Sequence, residues 1–91
     1  MLIAQGELDA ALAPLRETLR IREVALGANH PRTADTLTAL GLLMLRRKEV
    51  DVARPMLERA LGIYQSAYGP NHSKTLKGQQ NVAMARKQRG P

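Results

Sequence analysis

Ninety-one residues carry a formal charge of +6 and include no cysteine, no tryptophan and no phenylalanine. Without cysteine there is no disulfide, no thiolate metal site and no cysteine nucleophile, and a palette of Leu and Ala, with Tyr64 and Tyr68 as the aromatics, suits helix-on-helix packing rather than a β-sandwich. No apolar run approaches the roughly 20 residues that cross a bilayer, and residues 1–6 lack the basic region and long apolar stretch of a signal peptide, so a soluble cytoplasmic protein is expected.

Residues 1–5 read as the remnant of a helix closed by Gly6. Residues 7–26 form the next helix, with Leu8, Ala11, Leu15, Thr18, Leu19 and Ile21 at three- and four-residue spacing along one face. Gly27 follows that stretch, where a left-handed residue after a helix costs glycine least. Pro31 then suits the first position of a helix, because its missing N–H is not needed there, and Asn29 can help satisfy the exposed amides.

Over residues 32–47, Leu37, Leu40, Gly41 and Met44 line one helix face. Lys48 occupies the turn position that Gly6 holds earlier in the chain. Residues 50–68 repeat the helical pattern with Ala53, Leu57, Ala60, Leu61 and Tyr64. Pro14 and Pro55 each remove one backbone hydrogen bond, yet the apolar period runs straight through both, so neither ends its helix. After Gly69 and the junction at His72 and Ser73, residues 73–88 form a last helix. There Gln79 and Arg86 stand where Leu37 and Met44 stand earlier, which gives the polar outer face of a cap or a helix frayed near Arg86. Residues 89–91 are expected to be a disordered tail. No stretch alternates apolar and polar residues with a period of two, so the fold class is all-α.

The two halves of the chain are copies. Displaced by 42 residues, the sequence matches itself without gaps at twelve of 49 pairs, among them Ala11/Ala53, Leu15/Leu57, Leu19/Leu61, Ile21/Ile63, Gly27/Gly69, Asn29/Asn71, His30/His72 and Thr33/Thr75. Chance matching at this composition gives several times fewer. A period of this length marks a stacked-repeat architecture.

Within the period, Leu37-x2-Leu40-Gly41-x2-Met44 is followed by Ala53-x3-Leu57 and Ala60. This resembles the tetratricopeptide repeat, whose signature runs W-x2-L-G-x2-Y and then A-x3-F; the aromatics are replaced here, while the small residues keep their spacing. The 42-residue period and the Gly27-x2-His30-Pro31 junction look like the longer repeats of kinesin light chains and their bacterial and nephrocystin-like relatives. The resemblance covers essentially the whole chain. It implies antiparallel helical hairpins stacked as a right-handed superhelix, a protein-binding scaffold and no enzyme. In such a stack residues 7–26 lack a preceding helix, so the N-terminal end is expected to be truncated or unsealed, with Leu8, Leu12 and Leu15 exposed and available for self-association.

The resemblance also implies a concave groove lined by the first helix of each hairpin. Carried over residue by residue, Asp35, Thr38, Ala39, Leu42, Leu45 and Arg46 would face it from the complete repeat, and Lys77, Gln80, Asn81, Met84 and Lys87 from the last helix. An asparagine at the place of Asn81 can bond a ligand backbone through both its donor and its acceptor; Ala39 stands at that place one repeat earlier. Arg46, Lys77 and Lys87 would favour an acidic segment or a C-terminal carboxylate.

Other chemistry has little support in the residues. His30 and His72 lie in equivalent junctions one repeat apart, without the converging carboxylates a metal or catalytic site needs, so they are assigned to capping. Tyr64 and Tyr68, one turn apart, are assigned to packing rather than to a platform for stacking bases. No phosphate-binding glycine loop, nucleophile–base set or carboxylate pair is present, and no cofactor is implied. Charge leaves one alternative open. Residues 1–45 hold four Lys/Arg and five Asp/Glu, whereas residues 46–91 hold ten and three, and a basic helical-repeat surface for nucleic acid would use that +7 half. A third reading is a structural segment of a longer array with no ligand of its own.

Overall fold

The structure, a computed structural model, describes residues 5–88. Four α-helices follow one another: α1 (Gln5–Leu26), α2 (Pro31–Arg46), α3 (Val50–Tyr68) and α4 (Ser73–Lys87). No strand occurs among the described residues. Each helix packs on the next, and α2 also meets α4 along a narrower seam. The fold is an all-α helical repeat.

The identities between the two periods become intelligible at the α1–α2 and α3–α4 junctions. Gly27 and Gly69 take φ of 103° and 87°, a region that L side chains resist. The carbonyl left at each glycine accepts a hydrogen bond from the threonine six residues on, Thr33 Oγ1 to Gly27 at 2.8 Å and Thr75 Oγ1 to Gly69 at 2.8 Å. Both threonines are fully buried. The histidine between them caps the new helix: His30 Nδ1 accepts from the Arg32 amide at 3.0 Å, and His72 Nδ1 accepts from the Lys74 amide at 3.1 Å. The imidazoles thus make the caps assigned to the two histidines. Glycine, histidine and threonine recur together because each supplies one part of the same turn.

The turn between α2 and α3 is built differently. Lys48 takes φ of 65°, its amide donates to Leu45 O at 3.0 Å, and the Glu49 amide donates to Met44 O at 2.9 Å, which satisfies the last carbonyls of α2. Gly6, its counterpart, makes no such turn. It lies inside α1, which already begins at Gln5, so the expected break between a remnant and a helix starting at residue 7 is replaced by continuous helix. The left-handed turn forms where an antiparallel helix must be joined to the next, as at Lys48. Residues 1–4 and 89–91, and with them the rest of the expected remnant and the tail, lie outside the described residues. Pro14 and Pro55 sit within α1 and α3, which continue through them. α4 runs past Arg86 to Lys87 rather than fraying.

The core lies between α2 and α3 and extends to both neighbours. Leu40, Met44, Leu57 and Ala53 are at most 2 % exposed and pack with Leu12 of α1 and Val82 and Ala85 of α4. A second cluster joins Ala34 and Leu37 of α2 to Ala60, Ile63 and Tyr64 of α3. Burying one such leucine is worth about 1.5–3 kcal/mol. The close crossing of α2 and α3 depends on Gly41: a Cβ there would stand 2.7 Å from Cγ and Cδ2 of Leu57.

The N-terminal face differs from expectation. Leu12 is buried, and Leu15 is half-buried against the same cluster, because both point toward α2. The side chain of Leu8 lies outside the described residues. The exposed apolar residues of α1 are instead Ile21, Val24 and Leu26. On α4, Gln79 and Arg86 are exposed, and Arg86 reaches back to Glu58 of α3 at 3.2 Å.

Candidate functional site

An open cavity of about 480 Å³ lies between the C-terminal half of α2 and the stretch of α4 from Lys77 onward. Leu42, Leu45 and Arg46 line it from α2, and Lys77, Asn81 and Met84 from α4. α2 and α4 both pack on α3 and meet each other along a narrower seam, so each forms one wall. Six of the residues assigned to the groove from sequence are therefore brought together around one space.

Asn81 stands out within it. The residue is only 6 % exposed, it lines the cavity, and its carboxamide has no hydrogen bond to another described residue. Among the described residues the enclosed side-chain polar atoms without a hydrogen bond are Arg47 Nε and Glu49 Oε2, so the Asn81 amide opens onto the cavity, where water or a ligand can complete it. Leu42, Leu45 and Met84 give the cavity an apolar floor, with Met84 itself 41 % exposed. Arg46, Lys48 and Lys77 stand around the rim; none makes an ion pair among the described residues, and no acidic side chain lines the cavity.

Lys48 and Gln88 also line this space and were not among the residues assigned from sequence. Both lie just beyond a helix end. Lys48 enters because its left-handed backbone carries the chain around the end of α2, and sequence spacing within a helix gives no view of that position.

The remaining assigned residues lie elsewhere. Asp35 is near the other end of α2, where its carboxylate accepts from the Tyr64 hydroxyl and from Lys74 Nζ, at 2.9 and 3.0 Å for its two oxygens. Thr38 donates its hydroxyl to Ala34 O at 2.9 Å, one turn back in its own helix. Gln80 and Lys87 are exposed on α4, and Ala39 is half-buried on α2, but none of the three lines the cavity. A helix turns by 100° per residue, so a groove assignment that takes every residue on a half-circle includes side chains that point past the seam.

The Asp35 cluster perturbs two acids. Burial works to raise the Asp35 carboxyl, but the hydrogen bonds from Tyr64 and Lys74 and the nearby positive charges outweigh it and hold the group below its ordinary value. Burial, followed by the bond to Asp35, pushes the Tyr64 hydroxyl up from 10.0 to about 12. Tyr64 is buried in the packing cluster, whereas Tyr68 is 40 % exposed and stacks on His72 with ring centroids 4.2 Å apart. Packing thus describes Tyr64 fully and Tyr68 only in part.

The histidines belong to two separate junctions, and no group of three His, Cys, Asp or Glu side chains able to hold a metal occurs among the described residues. No described helix is long and apolar enough to cross a membrane.

The profile of the tetratricopeptide repeat family matches residues 1–66. No curated protein matches the chain. The match spans α1, α2 and most of α3, the segment in which Gly41 lets α2 and α3 cross closely. With more than half its length matched and helical hairpins throughout the described residues, the chain belongs to the tetratricopeptide repeat family.

Proposed function

We propose that this chain is a protein-interaction module whose concave face, formed by α2 and α4, takes an acidic peptide segment. Membership of a scaffold family supports a protein partner and a binding role rather than a catalytic one. The observation that carries the finer reading is the cavity itself, where an unpartnered, nearly buried Asn81 is set among three unpaired cations and an apolar floor. Such a site offers donor and acceptor to a peptide backbone, contact to an apolar side chain and charge to a carboxylate. The 42-residue period and the histidine-capped junction support the longer, kinesin-light-chain-like subtype, and cytoplasmic residence fits the same reading.

Titration of labelled acidic, neutral and basic peptides, read by fluorescence anisotropy, tests the binding reading. The acidic peptides should bind most tightly, and Asn81→Ala and Lys77→Met should each weaken them. Equal binding of all three, or no effect of either substitution, would remove the concave face from consideration. Tight binding of duplex DNA that weakens steeply with salt would favour the nucleic-acid alternative instead.

Self-association through α1 is part of the same proposal. Ile21, Val24 and Leu26 are 51, 80 and 40 % exposed, and a second copy packed on them would remove that surface from water. Sedimentation of the wild-type chain and of Val24→Glu compares the two states; a monomer at high micromolar concentration in both sinks the idea.

A further inference from the structure

The two ends of the concave face are occupied in opposite ways. From Leu42 on α2 and Lys77 on α4 toward the C-terminal ends of both helices, the side chains converge without ion pairing, with Asn81, Arg46 and Lys77 around an open cavity. Toward the N-terminal ends, Lys74 of α4 reaches across to both carboxylate oxygens of Asp35 on α2, at 2.9 and 3.0 Å, and Tyr64 of α3 donates to the same carboxylate. The Lys74 backbone is itself anchored, since its amide is the one capped by His72. Two helices of the binding face and the helix beneath them therefore meet in one charge-assisted cluster.

We infer that the Asp35–Lys74 ion pair closes one half of the concave face, so that a ligand is confined to the other half and is read over a short segment only. This rests on the concave-face reading above and specifies its extent. From Lys77 to Met84 the path along α4 covers about 10 Å at about 1.5 Å per residue, which matches about three residues of extended peptide at about 3.3 Å each. The segment that fits has one apolar side chain against Leu42, Leu45 and Met84, a carboxylate facing the rim cations, and a backbone amide paired with Asn81. Continuing the segment toward Asp35 brings it against an ammonium and a carboxylate already paired with each other, and insertion there requires breaking that pair. Lys74 is thus a specificity-determining residue that touches no ligand in the wild-type protein.

Two measurements test this. Titrating isotope-labelled protein with acetyl-Glu-Leu-Glu-amide, followed by backbone and side-chain amide shifts, should perturb Asn81, Met84 and Arg46 and leave Asp35, Thr38 and Lys74 in place. Shifts of similar size at both ends would overturn the confinement while leaving a concave-face ligand intact; shifts at neither end would remove the concave-face reading and this inference with it. The second measurement uses peptides lengthened by a Lys-Lys segment at either end. Wild type should bind them no more tightly than the short peptide, whereas Lys74→Met, which frees Asp35 for a ligand cation, should bind one of them several-fold more tightly. Adding Asp35→Asn should abolish that gain. A wild-type protein that already favours a lengthened peptide, with the preference lost in Asp35→Asn, would overturn the inference. Circular dichroism of each variant establishes that the helices persist.

Discussion

Ile21 and Ile63 hold the same place one repeat apart, yet Ile21 is 51 % exposed and Ile63 only 5 %. Ile63 packs with Ala34 and Leu37 of α2, the helix that precedes its own. No described helix precedes α1, so the same side chain at the same register has nothing to pack against. Ile63→Ala should therefore cost about 2–5 kcal/mol, the range for truncating a buried aliphatic side chain, and Ile21→Ala should stay within about 0.5 kcal/mol. Urea melts of the two variants at low protein concentration, below any self-association, give the comparison. Equal costs would mean that Ile21 is covered in solution.

Two glycines inside helices should respond to alanine with opposite signs. A Cβ at Gly62 meets nothing within 4 Å, so Gly62→Ala should stabilise the chain by about 0.5–1 kcal/mol through helix propensity alone. At Gly41 the new Cβ falls 2.7 Å from the branched end of Leu57. Leu57 is only 2 % exposed and has no room to swing away, so overpacking of about 1–3 kcal/mol outweighs the propensity gain. Thermal unfolding of both variants decides the pair of signs.

The junction histidines are separable from their neighbours by substitution. His30→Ala and His72→Ala each remove an acceptor from a helix N-terminus and should each cost about 1 kcal/mol, whereas replacement by asparagine, a good capping residue, should restore most of the loss. The two costs should add, since the junctions are separate and share no partner. Denaturant titration of the singles and the double measures both expectations.

Alkaline pH should weaken the Tyr64–Asp35 bond in a defined direction. Tyr64 is raised from 10.0 to about 12 in the folded chain, so the stability it contributes is complete below the unfolded value and is lost as the pH rises through the folded one. Asp35 shifts the other way: its contribution is present above the ordinary carboxylate value and fades as the pH falls through its lowered one. Tyr64→Phe should cost about 1 kcal/mol at neutral pH, and the gap to wild type should narrow as the solution passes from neutral to strongly alkaline. Stability measured across that range in both proteins provides the check; a gap independent of pH would mean that the hydroxyl does not prefer its neutral form in the folded state.

Much of the architecture was legible in the chain itself. The spacing of Leu37, Leu40, Gly41 and Met44 predicts a helix with one apolar face, and the match of that face to Ala53, Leu57 and Ala60 predicts the hairpin, because periodicity and small residues at a crossing are local properties. The recurrence of Gly27, His30 and Thr33 as Gly69, His72 and Thr75 likewise revealed a junction. The atoms that make it, Nδ1 on an amide and Oγ1 on the glycine carbonyl, needed the fold.

Tertiary packing decided which of two identical residues is buried. It turned Leu12 and Leu15 toward α2 and left Ile21 and Val24 outside, since direction around a helix matters only once a neighbour is placed. It also divided the expected groove. Asp35 and Asn81 were read as facing one surface, yet Asp35 is drawn into a cluster with Tyr64 and Lys74 from two other helices, while Asn81 remains without a partner in an open cavity. Helical spacing determines which side chains share a stripe. Which charge finds a partner depends on residues about 30–40 positions away in sequence, such as Tyr64 and Lys74 for Asp35, and only the stacked helices bring those together.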